Sequence, residues 1–217
     1  MPKAPLQFPM PFLLAVVLGL FLPASLSADV ELPAPRTEGG TALFETLKKR
    51  SSAAGGDFSP AEVSLEELST LLWAATGLNR GESGWTVPMA EGLEPYVDVY
   101  VIGNEGVFRY DWKANKLLEI SGENIKGQVG HQAFVRRAAW ILAFASNPEG
   151  LAKLRNAEAG AEFAQVLTGA MTQNVYLAAV ALNLGTRYIH SFYPDELKNG
   201  LKLPEGSVPI ALMLVGK

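Results

Sequence analysis

The side chains that most often carry enzyme chemistry are sparse in this sequence. His131 and His190 are the only histidines, and neither stands at ligand spacing from a cluster of carboxylates. A protein zinc site needs three or four such ligands, so no metal site is predicted. There is no cysteine, which excludes disulfides, thiolate metal sites and a cysteine nucleophile.

Two predicted helices carry side chains that could bind a ligand, cations in one and amides in the other. Lys48, Lys49 and Arg50 lie at the C-terminal end of a short predicted helix, where positive charge interacts favourably with the helix dipole. Gln173 and Asn174 lie inside a long predicted helix, where amides bond either to a neighbouring helix or to a ligand. For both groups the residues alone leave a structural and a functional interpretation open.

Composition limits the class of protein. The chain has 217 residues, with 18 basic and 22 acidic side chains and a formal net charge of −4. This length suits one domain with a substantial core. The acidic excess argues against nucleic acid as a partner.

The first 27 residues have the pattern of a secretory signal. Lys3 precedes an uninterrupted apolar run over residues 12–22, and small residues lead up to Ser27. The run is shorter than the roughly 20 residues that span a bilayer, so we predict cleavage after Ser27 and export to the periplasm. An uncleaved N-terminal anchor is the alternative. Residues 28–40, rich in proline and glycine, are predicted to be a flexible lead-in with no further membrane span.

Residues 41–217 are predicted to form one α+β domain. Helices are expected over residues 41–50 and 65–76, the second beginning with a capping box at Ser64 and ending at Gly77. Residues 79–95 are expected to be a long loop. Strands are predicted over residues 97–102, 107–110, 116–120 and 138–145, then a helix from Asn147, a strand over 186–189, a helical turn over 194–201 and a last strand over 209–215.

A long amphipathic helix is predicted over residues 158–184. Its apolar positions repeat at helical spacing, and it carries many small residues, among them Gly160, Ala164, Gly169 and Ala178. Small residues allow a second helix to approach closely. We therefore expect this helix to pair with another one.

Three segments resemble the nitroreductase-like flavoprotein family. They are residues 168–187 (TGAMTQNVYLAAVALNLGTR), residues 65–80 (LEELSTLLWAATGLNR) and the predicted hairpin within residues 98–117. The resemblance is closest to the branch that includes the thiazoline and oxazoline dehydrogenases of peptide modification. It implies a mainly antiparallel mixed sheet flanked by helices, with the long helix at the subunit interface.

The resemblance also implies a homodimer that binds FMN at its interface and transfers hydride through the flavin, acting on a small molecule or a redox partner. In the family a basic-x-Ser-x-basic motif after the first helix binds the phosphate, and an Arg-Thr-x-Pro-Ser-Ala loop and the interface helix contact the flavin. The residues at the corresponding positions of this sequence, which we predict to bind the cofactor, are Lys49, Arg50, Ser51, Pro88, Met89, Ala90, Gln173 and Gly185.

Three positions depart from the family pattern. Ala53 replaces the second basic residue of the motif, Trp85 replaces the loop arginine, and Met89 replaces the loop serine. Each lost charged donor weakens phosphate binding by about one to two decades. Two hypotheses follow. The first is an exported FMN-dependent oxidoreductase. The second is a family relative that has no FMN or has another cofactor, and that acts as a ligand-binding or assembly module in which Trp85 and Met89 fill the vacated space.

Overall fold

The computed structural model describes Met1 and residues 28–58 and 62–217. The predicted signal segment therefore falls almost wholly outside the described residues. In the part that is described, no helix combines the length and the apolar character needed to cross a membrane.

Seven strands form one sheet in the order β1-β6-β5-β4-β7-β9-β8, and all six pairings are antiparallel. A separate hairpin pairs two further strands, β2 and β3. The strands are β1 Val30–Glu31, β2 Leu78–Arg80, β3 Gly84–Trp85, β4 Val97–Ile102, β5 Val107–Asp111, β6 Lys116–Ser121, β7 Trp140–Ser146, β8 Gly185–Ile189 and β9 Pro209–Gly216.

Five helices accompany the sheet within the described residues. They are α1 Leu43–Lys49, α2 Leu65–Thr76, α3 Pro148–Leu151, α4 Gly160–Ala181 and α5 Pro194–Gly200. The capping box of α2 is present, because Ser64 Oγ accepts the N–H of Glu67 while the Glu67 carboxylate accepts the N–H of Ser64. Helix α4 has 22 residues, so at 1.5 Å per residue it is about 33 Å long.

Alternate residues of the central strands enter two separate cores. Val99, Val101, Leu142 and Phe144 face α2 and α4 on one side of the sheet. Tyr100, Ile141 and Leu214 are among the residues on the other side, where α5 and residues 125–138 cover the sheet. Strand β7 is buried on both faces, which explains why its sequence is a continuous apolar run.

The predicted fold class is confirmed, and the observed elements follow the predicted ones closely in position. Two segments have more structure than their sequences indicated. The predicted loop over residues 79–95 contains the β2–β3 hairpin and a 3₁₀ turn, Ala90–Gly92. The predicted lead-in contains β1, and Pro33 O accepts hydrogen bonds from Ser69 Oγ at 2.6 Å and Asn115 Nδ2 at 3.0 Å.

Candidate functional site

The segment that follows α1 runs along the edge strand β8. The N–H of Ala53 donates to the carbonyl of Thr186 at 2.9 Å, so this segment extends the sheet by one backbone contact. A Cβ placed on Gly185 would lie 3.4 Å from the Ala53 Cβ. The structure thus brings two of the predicted cofactor-binding regions together, the basic motif and the start of β8.

Tyr176 of α4 holds this segment from the inside of the protein. The side chain is buried, and its hydroxyl accepts the N–H of Tyr188 at 2.9 Å and lies 2.7 Å from Ser52 Oγ. The guanidinium of Arg50 stands 5.1 Å from the centre of the Tyr176 ring, within the range of a cation–π contact. Arg50 is therefore fixed between the end of α1 and the surface of α4.

Two further arginines contact the same segment. Arg187 Nη1 donates to the carbonyl of Ala53 at 2.9 Å, and Arg137 Nη2 donates to the carbonyl of Gly55 at 2.6 Å. Among the described residues, no carboxylate lies within ion-pair distance of Arg50, Arg137 or Arg187. Three arginines that form no ion pair within the described residues therefore lie around residues 50–55, and the carboxylate of Asp57 also contacts this segment, accepting the N–H of Ala54 at 2.7 Å.

Lys49 and Ser51 of the predicted motif face solvent. Lys49 Nζ forms an ion pair with Glu45 at 3.0 Å across one turn of α1, with more than half of each side chain exposed. Such a pair contributes little to stability and leaves the lysine available to an anion. Ser51 is also exposed, and its N–H and that of Ser52 donate to no acceptor within the described residues.

The second predicted region, Pro88, Met89 and Ala90, lies on the other flank of α4. Asn174 Nδ2 donates to the carbonyl of Thr86 at 3.1 Å and to that of Ala74 at 3.0 Å, which fixes this loop against α2 and α4. Pro88 is exposed, whereas Met89 and Ala90 are half-buried and pack against the core beneath.

Gln173 lies between the two regions. Because successive helical residues are about 100° apart, Asn174 and Tyr176 point to opposite flanks of α4, and Gln173 falls on the exposed face between them. The same face carries Val166, 74% exposed, and Gly169. Seven of the eight predicted residues thus form two groups on either side of one exposed helix face, and the eighth, Gln173, lies on that face. The single chain does not enclose them.

Trp85 does not lie beside the basic motif. Its indole is buried and packs edge-on against Trp112, with the ring centres 6.0 Å apart. Trp112 follows β5, and β5 is four strand spacings from β8, or roughly 19 Å. Within one chain, Trp85 therefore does not lie next to Arg50.

The acids of the same loop are also directed elsewhere. The Glu91 carboxylate accepts the N–H of Arg155 at 3.3 Å, and Glu94 forms an ion pair with Lys113 at 2.7 Å. Both carboxylates are therefore paired with basic residues away from the end of α1.

The residues around Arg50 fit the phosphate group of FMN by their chemistry. A phosphate dianion requires several charged or N–H donors, and this region has exposed Lys49, the guanidinium of Arg50, two free backbone N–H groups and the hydroxyls of Ser51 and Ser52. Ala53 provides no donor beyond a backbone N–H already bonded to Thr186.

Sequence reasoning missed three residues of this region: Ser52, Arg137 and Arg187. The structure also places Tyr176 in this region, where it is buried and its hydroxyl makes two contacts. The one available signal was Arg187, a charged residue within a strand next to Gly185 and Thr186.

A model of the nitroreductase family matches residues 47–217. The chain therefore belongs to the nitroreductase family. A candidate nitroreductase of Methanocaldococcus jannaschii is 34% identical over 188 residues, which cover 81% of this chain and 90% of that protein. The crystal structure of a candidate nitroreductase of Ralstonia eutropha JMP134 is similar with a TM-score of 0.80 and 30% identity, covering 87% of this chain and 89% of that one.

More distant structures share the fold. A chain of the E. coli microcin synthetase McbBCD complex matches with a TM-score of 0.67 and 16% identity, over 95% of this chain and 84% of that one. An FMN-dependent nitroreductase of Clostridium difficile R20291 matches with a TM-score of 0.56 and 17% identity, over 80% and 86% of the two chains.

Proposed function

We propose that this protein is an FMN-dependent oxidoreductase with its cofactor at a homodimer interface. The observation that carries the proposal is the group of donors at the end of α1, which packs on α4: Lys49 and Ser51 are exposed, and the guanidinium of Arg50 stands 5.1 Å from the Tyr176 ring centre. Exposed cationic, hydroxyl and N–H donors grouped at one place suit an anion such as a phosphate. The family membership and the FMN-dependent structural neighbour support flavin as that anion.

The roles of the chain's residues follow from their positions. Lys49, Arg50 and Ser51 hold the phosphate, and Gly185 lies beside Ala53 at the start of β8. Gln173 lies on the exposed helix face, where its amide hydrogen-bonds the edge of the ring system. Pro88, Met89 and Ala90 form the opposite wall, from the same chain or from its twin. When bound, FMN supplies hydride transfer at its N5 atom.

The exposed apolar surface favours a second copy of the chain as the partner. Leu43, Phe44 and Leu47 of α1 are 60%, 85% and 48% exposed, and α1 packs on α4, whose Val166 is 74% exposed. Fully burying one such side chain contributes about 1.5–3 kcal/mol. Two copies of this surface in contact would cover it and bring a second α4 against the site.

Flavin binding is the decisive measurement. Protein incubated with FMN and desalted should keep a flavin absorbance spectrum, with one FMN per chain released on denaturation. The bound flavin should lose its absorbance on anaerobic addition of a hydride donor and regain it on addition of a nitroaromatic acceptor. Protein that stays colourless contradicts the oxidoreductase and supports the cofactor-free, ligand-binding alternative.

We also propose that residues 1–27 direct export, on the strength of their charge and apolar pattern. Free nicotinamide nucleotides are not expected outside the cytoplasm, so an exported enzyme draws electrons from a quinol, a redox partner or its substrate. A phosphatase reporter fused after residue 40 tests the proposal, because it is active only when exported. N-terminal sequencing of the exported protein should begin at Ala28, and an inactive fusion contradicts export.

A further inference from the structure

We propose that a cleft on the side of the sheet opposite α4 binds an α-amino acid, holding its ammonium and carboxylate groups at once. Asp98 and Tyr100 of β4 and Arg109 of β5 line a cavity of about 410 Å³ there, and α3 and the chain after α5 form its other walls. Small-molecule sites have volumes of about 300–1,000 Å³, so the cavity is large enough for such a ligand. The inference does not depend on the proposed flavin site.

Strand register places these three side chains on one face of the sheet. Val99 and Val101 point towards α2 and α4, so the residues of β4 that alternate with them, Asp98 and Tyr100, point the opposite way. Arg109 is paired directly with Tyr100 between β4 and β5, which makes it the diagonal neighbour of Asp98. The sheet itself therefore separates this cleft from α4.

The Asp98 carboxylate is the group that suits an ammonium ion. It accepts two long hydrogen bonds from Asn147 Nδ2, at 3.3 and 3.4 Å, and no cation of the described residues lies within ion-pair distance of it. Burial raises the pKa of Asp98 against the smaller opposing effects of Asn147 and Arg109, and the nearby charge of Glu149 raises it further. A bound cation would relieve both of the effects that disfavour the carboxylate.

Arg109 and Tyr100 provide the group that suits a carboxylate. The Arg109 side chain is half-buried and forms no ion pair within the described part of the chain, and a guanidinium binds a carboxylate through two parallel hydrogen bonds. Tyr100 is 2% exposed. Burial raises the pKa of Tyr100 to about 12, so its hydroxyl keeps a proton that it can donate.

The mixture of charges selects the class of ligand. The charged residues that line the cleft are the acids Asp98, Glu149 and Glu205 and the bases Arg109 and Lys202. A ligand of one sign would be attracted by one set and repelled by the other, whereas a zwitterion matches both. Diagonal neighbours on adjacent strands are about 7–8 Å apart, a gap that the two charged groups of an amino acid can bridge.

Binding of free amino acids is the direct test. Each standard L-amino acid is screened by its effect on the melting temperature of the full chain, and isothermal titration calorimetry measures the Kd of the strongest one. Its N-acetyl derivative lacks the ammonium group and its amide lacks the carboxylate. We expect each derivative to bind about 10- to 100-fold more weakly, because the charge-assisted hydrogen bonds at one end are lost.

Two variants assign the two ends of the ligand. Asp98→Asn and Arg109→Gln should each raise the Kd of the amino acid about 10- to 100-fold. Asp98→Asn should leave the affinity for the N-acetyl derivative unchanged, and Arg109→Gln should leave that for the amide unchanged. Glu123→Gln and Arg136→Gln, at exposed residues outside the cleft, are the matched controls and should bind like the wild type.

The proposal is overturned if no amino acid raises the melting temperature, or if both derivatives bind as tightly as their parent. A folded Asp98→Asn or Arg109→Gln variant that binds like the wild type also overturns it. The derivatives need only the wild-type chain, so they decide the question even if a variant does not fold. Amino-acid binding by a chain that takes up no FMN would support this site and contradict only the flavoenzyme.

Discussion

The hydroxyl of Tyr176 lies 2.7 Å from Ser52 Oγ and 2.9 Å from the amide nitrogen of Tyr188. A phenol oxygen accepts one hydrogen bond and donates its own proton in another, so this single group joins α4, β8 and the segment after α1. The proposed phosphate site is therefore positioned from the core by a residue that carries no charge.

Tyr176→Phe should destabilise the protein and weaken FMN binding together. The Tyr188 N–H loses its acceptor in a part-buried position, which costs about 1–3 kcal/mol in the free energy of unfolding. Urea unfolding measures this loss, and flavin titration should show a raised Kd although every cation is kept. Tyr193→Phe is the control, because Tyr193 is 43% exposed and the loss of its hydroxyl should cost less than about 0.5 kcal/mol. Equal effects of the two substitutions would contradict the central position of Tyr176.

Asn174→Ala should destabilise the fold without a direct effect on phosphate binding. The Asn174 amide satisfies the carbonyls of Ala74 and Thr86, and its removal leaves both without this donor, at a cost of about 1–3 kcal/mol. Urea unfolding of the variant checks the magnitude. Gln165→Ala, an exposed substitution on the same helix, should change the stability by less than about 0.5 kcal/mol. An Asn174→Ala variant as stable as Gln165→Ala contradicts the structural role.

Most of the fold could be predicted because its signals are local. The capping box at Ser64, the continuous apolar run of β7 and the helical stripe of α4 are each encoded within one segment of sequence. The β2–β3 hairpin was missed because its strands are three and two residues long, too short for any alternation to show. Strand β1 was missed for the same reason, since it has two residues and depends on its partner β6.

The candidate site was predicted less completely, because its contacts join residues far apart in the chain. Lys49, Arg50 and Ser51 were found from a contiguous motif, but the contact between Arg187 and Ala53 spans 134 positions. No local pattern encodes such a pair. The sequence also did not indicate that Phe44 of α1 is exposed. An apolar stripe on a helix has the same pattern whether residues of its own chain or of a second copy cover it.

Phe44→Glu and Val166→Glu should each convert a wild-type dimer into monomers. A carboxylate placed in an apolar interface must be desolvated without a partner, a cost of several kcal/mol that a moderate interface does not withstand. Light scattering coupled to size-exclusion chromatography measures the mass. Val208→Glu is the matched control, because Val208 is 56% exposed but lies far along the chain from α1 and α4, just before β9. Variants that remain dimeric, or a wild type that is monomeric, contradict the proposed interface.

Lys126 gives the protein a pH dependence in the alkaline range. The side chain is 6% exposed, and its Nζ donates to the carbonyl of Ala138 at 2.9 Å. Burial lowers the pKa of Lys126 below its ordinary value of 10.5, against a smaller opposing effect of Glu105. Between the two pKa values the unfolded chain holds a proton that the folded chain has released, so stability rises with pH in this window.

Lys126→Met should remove this contribution, because methionine fills a similar volume and does not titrate. As the pH rises towards 10.5, the free energy of unfolding of the wild type should therefore rise relative to that of Lys126→Met, as measured by urea unfolding at each pH. Other ionisable groups are the same in both proteins, so the difference isolates Lys126. Lys153→Met, at an exposed lysine, should show a constant difference over the same range. A constant difference for Lys126→Met as well would show that the buried amine keeps its ordinary pKa.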